Sequence, residues 1–261
     1  MDKNIYLNKQ EQMIYNALSG IDVITSNEIK ALFSDLKTHQ INKICSNLSA
    51  KGYLHRLKKE VYMVQEKPSQ PVIKNPYKIA LILFKGYIGF SSALRVYGLL
   101  DYEPFTIFVV TNNKSREKAI GNYIFRSVAM GKRAVGMTYH NSIYISTKAK
   151  TFFDCLYKPQ YSGGYSIVTK ALYNAKFDWD EFIEYFRFAS NSFCQRTGYI
   201  LDILQKTDKK VPNKVLSYFE KRVMTNSKLL PSGKVGGKYI RKWMLLDNLG
   251  EDNILSWWYH G

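Results

Sequence analysis

Acid and lysine pairs are the first residues to weigh, because together they could hold a metal and cut a phosphodiester. Asp208-Lys209-Lys210 has the acid-x-Lys spacing of metal-dependent nucleases, and Asp202 is near it in sequence. In such enzymes carboxylates bind Mg²⁺ and a lysine helps to activate water. The same spacing recurs at Glu28-Ile29-Lys30 and Asp35-Leu36-Lys37, so it discriminates little. A second motif, Gly89-Phe90-Ser91-Ser92-Ala93, has the outline of a nucleophile elbow. That turn needs a later acid and histidine. The later histidines are His140 and His260, and Ser91 or Ser92 is expected to cap a helix instead. Gly233-Lys234-Val235-Gly236-Gly237-Lys238 fails as a phosphate loop. Its first glycine is one position out of register, and Tyr239 stands where Ser or Thr must hold magnesium. Four scattered histidines and three cysteines without a C-x-x-C pair provide no metal-ligand spacing. Cys45, Cys155 and Cys194 each sit in an apolar pattern and read as small core residues. The expectation is a protein that is not an enzyme, with no cofactor and no metal.

The chemistry left standing is recognition of base edges. Residues 38–51 place Ile41, Ile44, Cys45 and Leu48 at i, i+3, i+4 and i+7, one face of a helix. The opposite face carries Thr38, His39, Gln40, Asn42, Lys43, Ser46, Asn47 and Lys51, with Lys37 just ahead. Between positions 37 and 59 there are six Lys or Arg and no Asp or Glu. Such a helix suits the major groove, where Asn and Gln read adenine edges and Lys holds guanine or phosphate. Gly52 stands where a helix ends in a left-handed residue.

The elements needed to position that helix are legible around it. Residues 8–20 read as a first helix. Thr25-Ser26-Asn27-Glu28 is a capping box opening a second, to 33, with a turn at 34–36. Residues 53–57 and 61–64 read as two strands around the turn Lys58-Lys59-Glu60. Three helices and a two-stranded hairpin make the winged-helix plan, whose wing would lay Arg56, Lys58 and Lys59 along a phosphate backbone. The same plan also serves as a protein-interaction module, a rival that DNA-binding measurements would separate.

Residues 1–66 therefore form an expected winged helix-turn-helix domain, 67–75 a Pro-containing linker, and 76–261 a larger mixed α+β domain; the fold class is α+β. Within the larger domain, helices are expected at 77–84, 90–99, 148–157, 165–174, from 178 (capped by Asp178, with Glu181 closing the box), 191–204 and 213–224. Strands are expected at 105–110, 123–130, 134–140, 142–146 and 243–246, a basic loop at 112–116, and an aromatic tail at 254–259 docked on the domain. Net charge is +17, which favours a polyanionic partner. It is unevenly spread: residues 1–66 carry nine basic and seven acidic groups, and the remainder 29 and 14. The stretch 206–242 alone holds 11 basic and two acidic residues. A second nucleic-acid or partner surface could draw on Arg116, Lys118, Lys132 and Arg133, or on Lys209, Lys210, Lys214, Lys221 and Arg222. No apolar run is long enough to span a bilayer and the start of the chain is polar, so a cytoplasmic protein that avoids membranes is expected.

Three stretches in order resemble a known family: 86–113 (GYIGFSSALRVYGLLDYEPFTIFVVTNN), 148–172 (KAKTFFDCLYKPQYSGGYSIVTKAL) and 196–204 (RTGYILDIL). They are similar to the AbiEi antitoxins of abortive-infection, type IV toxin–antitoxin systems, also described as viral-defence transcriptional regulators. The resemblance covers most of the chain, and its motifs are packing signatures in a fixed order. It implies that the winged helix binds operator double-stranded DNA and represses its own operon. It also implies that the second domain counteracts a nucleotidyltransferase toxin of the AbiEii type. Some relatives lack an obvious toxin, which leaves a stand-alone regulator as the alternative. The sequence departs from the family where many relatives have an acidic residue and a Leu-Leu pair; here the helix reads Lys150-Thr151-Phe152-Phe153-Asp154.

Overall fold

Capping chemistry starts the first helices. Asn8 accepts from the Glu11 N–H while Glu11 accepts from the Asn8 N–H, a closed box at the head of α1 (Lys9–Ala17). Thr25 and Glu28 close a second box at the head of α2 (Ser26–Leu32). Just before it runs a strand that the sequence pattern had hidden, β1 (Val23–Thr25). Helix α3 (Thr38–Ala50) follows, with Ile41, Ile44, Cys45 and Leu48 buried as the spacing requires. It stops at Gly52, whose φ of +85° costs a glycine nothing. The Tyr53 N–H reaches back to the Leu48 carbonyl (2.9 Å) and the Gly52 N–H to Ser49 (3.2 Å), the pairing of a Schellman terminus.

Strands β2 (Leu54–Lys58) and β3 (Val61–Val64) pair antiparallel with a bulge between Arg56 and Lys58. The hairpin is not two-stranded: β1 adds to it, in the order β1-β3-β2. Ile14, Leu18, Ile29, Ile41, Cys45 and Leu48 close the core beneath this sheet. Each such fully buried aliphatic contributes about 1.5–3 kcal/mol. The expected linker is fastened as well, since the Val72 N–H donates to the Gln65 side chain (2.7 Å) and the Tyr15 hydroxyl to the Gln65 carbonyl (2.7 Å). Helix α4 (Pro76–Leu83) comes next.

The computed structural model describes residues 5–68, 71–233 and 236–260. The polar start 1–4, Ser69 and Gln70 of the expected linker, and Lys234 and Val235 of the 206–242 stretch and the rejected phosphate loop lie outside them. The chain divides into two compact units. The first runs up to Lys85 and includes Glu117–Phe125; the second is Gly86–Arg116 with the chain from Arg126 onward. Helix α4, expected in the larger domain, thus belongs with the first unit.

The rest of the chain holds β4 (Tyr87–Ile88), α5 (Phe90–Val96), β5 (Thr106–Thr111), β6 (Arg116–Ile120), β7 (Tyr123–Ala129), β8 (Met137–His140) and β9 (Ile143–Ser146). These strands form one sheet in the order β6-β7-β5-β4-β9-β8, with β4 and β9 parallel. Strand β6 begins within the expected basic loop. Its sequence, REKAI, is mostly polar because it is an edge strand with little to bury. Helices α6 (Lys148–Tyr157), α7 (Tyr165–Asn174), α8 (Trp179–Glu184), α9 (Asn191–Leu204) and α10 (Asn213–Glu220) pack around an aromatic core. There Phe153 meets Phe186 and Phe193 with ring centroids 4.9 and 5.5 Å apart.

The 150–154 departure has a structural account. Lys150 and Asp154 form an ion pair buried inside α6, and Phe152 and Phe153 fill the core beside it. Burial pushes the Lys150 amine down and the Asp154 carboxyl up to about 6.

Five local expectations change. Ser92 does not cap α5, which starts at Gly89; its hydroxyl accepts from the Phe108 N–H (2.9 Å). Glu181 does not close a box on Asp178, because Thr147 and Tyr185 donate to its carboxylate (2.6 and 2.7 Å). The helix expected to 99 ends at Val96 and the one expected to 224 ends at Glu220. The strand expected at 243–246 begins two residues later. A helical turn, Arg241–Trp243, precedes it, and β12 (Leu245–Asp247) lies between β10 (Ser227–Lys228) and β11 (Lys238–Ile240). The chain closes with α11 (Glu251–Ile254) and α12 (Ser256–Tyr259). As expected, the tail docks: the Trp257 indole donates to Thr169 (2.9 Å) and its ring packs on Tyr173. No helix among the described residues is long and apolar enough to cross a membrane.

Candidate nucleic-acid interface

Helix α3 presents two faces of opposite character. Thr38, His39, Gln40, Asn42, Lys43 and Ser46 are exposed, while the apolar four are buried. At its start the Gln40 side-chain oxygen accepts from the Lys37 N–H (2.8 Å). That contact fixes the oxygen and leaves the amide NH₂ facing outward as a donor. The Lys37 side chain is exposed at the same end. An acid-free surface of amides and amines, set on a helix whose back is locked into a core, offers donors and acceptors of the kind base edges need.

Two residues expected on this face have another task. The Lys51 amine donates to Glu11 (2.6 Å) and to the Tyr6 carbonyl (2.8 Å), and the Asn47 amide donates to Glu11 (3.0 Å). Glu11 is buried, so these two side chains pin the foot of α3 to the capping box of α1. Burial raises the Glu11 carboxyl, but the hydrogen bonds from Lys51, the Asn8 N–H and Asn47 more than offset it and hold the group below its ordinary range. Asn47 and Lys51 are thus half-buried and tied to Glu11, unlike the exposed residues of the face expected to read DNA. A helical wheel could not show this, because their partner lies 36 and 40 residues away.

The hairpin turn is similarly mixed. Arg56 and Lys59 are exposed, and Lys59 meets Glu60 at 3.9 Å. The Lys58 amine instead donates to the Ile82 carbonyl in the last turn of α4 (2.8 Å). Its charge remains at the surface, but its geometry is set by that helix end. His55 is held below its ordinary value, first by burial and then by the nearby Lys118.

The proposed second surface divides in the same way. Lys118 points into the first unit, donating to the Arg56 (3.2 Å) and Leu57 carbonyls. Arg116 and Lys132 are exposed, and Arg133 lies over the Tyr157 ring at 5.0 Å. In the 206–242 stretch, Lys209 donates to the Tyr173 and Ala175 carbonyls, satisfying the end of α7. Lys214 pairs with Asp180 (2.6 Å), and Lys242 with Asp202 (2.9 Å) and Glu220 (3.0 Å). Lys206 pairs with Glu251, and Arg222 donates to the Phe186 carbonyl (3.3 Å) while covering the Tyr218 ring. Lys210 and Lys221 are exposed with no ion pair among the described residues. Of the acids weighed for a nuclease, Asp202 pairs with Lys242 (2.9 Å) and accepts from the Trp243 indole (2.9 Å). Among the described residues no group of three His, Cys, Asp or Glu is placed to hold a metal ion.

Comparison with known proteins gives a fold and no more. No protein-family model and no curated protein sequence matches the chain. It is similar to the crystal structure of the RV2827C protein from Mycobacterium tuberculosis, with a TM-score of 0.67 at 12% identity. That similarity spans 94% of this chain and 93% of the other.

Proposed function

We propose that this chain is a DNA-binding transcriptional repressor and antitoxin. Its first unit acts as a winged helix, with α3 in the major groove and Arg56 and Lys59 on the flanking phosphates. Its second unit, through the AbiEi-like stretches, counteracts a nucleotidyltransferase toxin. The protein works by binding, without catalysis. The observation that carries the DNA reading is the outer face of α3: six exposed polar side chains, no acid, on a helix pinned by Glu11. The antitoxin reading rests on the sequence resemblance alone.

The test is binding of the purified protein to its own upstream duplex and to random duplex, at two salt concentrations. A regulator binds the upstream duplex selectively and weakens with salt. A protein-interaction module shows no salt-dependent DNA binding. Co-expression with a neighbouring nucleotidyltransferase separates the antitoxin, which rescues growth, from a stand-alone regulator, which does not.

A further inference from the structure

The second unit contains a cleft that the DNA reading does not use. Its volume is about 690 Å³, within the range of small-molecule sites. On one side lies the start of α7. Gly164 precedes that helix at φ +89° and ψ −179°, a conformation essentially confined to glycine. With no side chain there, nothing caps the helix, and the N–H groups of Tyr165 and Ser166 are left without partners among the described residues.

Tyr165 supplies an independent observation. Its side chain is only 5% exposed, yet it lines the cleft, and its hydroxyl has no hydrogen-bond partner among the described residues. A buried tyrosine ordinarily pairs that hydroxyl. Arg196 also lines the cleft. Its Nε donates to the Ser192 carbonyl (3.1 Å), which fixes the guanidinium, and its terminal amino groups have no hydrogen-bond partner among the described residues. Burial pushes the Tyr165 hydroxyl up to about 12, and Arg196 is the charge that opposes this.

A helix start, a guanidinium and a neutral hydroxyl are all donors, and together they match an anion with three oxygens better than a carboxylate with two. The remaining lining is mixed, with Leu229, Pro231 and Leu249 beside the polar Gln160, Ser232 and Asn253, and gives more room than inorganic phosphate needs. We propose that this cleft binds a nucleoside monophosphate. Its phosphate sits on Arg196, the Tyr165 hydroxyl and the head of α7, and its nucleoside lies along the Leu229, Pro231 and Leu249 wall, where Gln160, Ser232 and Asn253 offer polar contacts. The site stands apart from the DNA and antitoxin readings and survives the failure of either.

The experiment is calorimetric titration of the intact protein with AMP, beside inorganic phosphate and adenosine, in about 0.15 M salt. AMP is expected to bind at one site, more tightly than phosphate or adenosine alone. Tyr165→Phe keeps the buried ring and removes only the hydroxyl; it should weaken AMP by about tenfold, as should Arg196→Gln. Lys210→Gln, a surface control, should change nothing. AMP binding no tighter than inorganic phosphate would overturn the proposal. So would AMP affinity unchanged in Tyr165→Phe, which is expected to fold even if Arg196→Gln does not.

Discussion

Two stretches of this chain are basic, and they use their charge in opposite ways. Helix α3 turns amides and amines to solvent on one face while its other face fills a core. The stretch 206–242 carries far more charge, yet Lys206, Lys214 and Lys242 are paired with acids, and Lys209 and Arg222 are bonded to carbonyls. Inside the same unit Lys150 is buried altogether against Asp154. Net charge alone therefore does not locate the free cations: the smaller excess lies on an exposed helix face, and much of the larger holds the fold together.

Removing the buried amine is the most damaging way to probe this difference. Lys150→Met leaves Asp154 uncompensated in the core and should cost about 3–5 kcal/mol, read by chemical denaturation. A loss below about 1 kcal/mol would mean that the pair is not buried as described. On the other side of the comparison, Gln40→Ala and Asn42→Ala should each lower discrimination between operator and random duplex by about 1–3 kcal/mol while leaving the melting temperature in place. Lys209→Met unties the Tyr173 and Ala175 carbonyls and should cost about 1 kcal/mol of stability without altering the DNA preference of the folded protein.

Acid provides a graded test of the first unit. His55 is held below its ordinary value of 6.5, so the folded state binds fewer protons than the unfolded one as pH falls. Its contribution is complete above that value and is lost as pH drops through the lowered one. Glu11, also held low, adds a second loss further down, below its ordinary 4.5. Thermal unfolding should show stability declining as pH falls below the ordinary histidine value of 6.5, and His55→Gln should flatten that decline. An unchanged slope in the variant would remove His55 from the account. The smallest effect belongs to the exposed Lys214–Asp180 pair, where Lys214→Ala should shift stability by under about 0.5 kcal/mol.

Much of α3 was legible because its signals are local. The apolar spacing from Ile41 to Leu48 and the glycine at 52 bounded the helix to within a residue, and Thr25 with Glu28 marked the helix before it. Strand β1 was hidden because three residues are too few for an alternation to show. Strand β6 was read as a loop because an edge strand need not be apolar. The bonds of Asn47 and Lys51 to Glu11 were hidden for a different reason. On a wheel they sit beside Lys43, but their partner Glu11 arrives from another helix, and burial decides what a charge does. The same holds for Lys118 and Lys209, whose carbonyl partners lie 34 to 62 residues away in sequence.

The measurement that bears most directly on the central claim compares two variants of the intact protein on its own upstream duplex and on random duplex. One carries Gln40→Ala with Asn42→Ala; the other carries Lys210→Gln with Lys221→Gln. The expected result is that the first loses selectivity and the second keeps it, with no more than a modest uniform weakening. A first variant that keeps full selectivity, beside a second that loses it, would contradict the assignment of reading to α3 and return it to the basic stretch of the second unit.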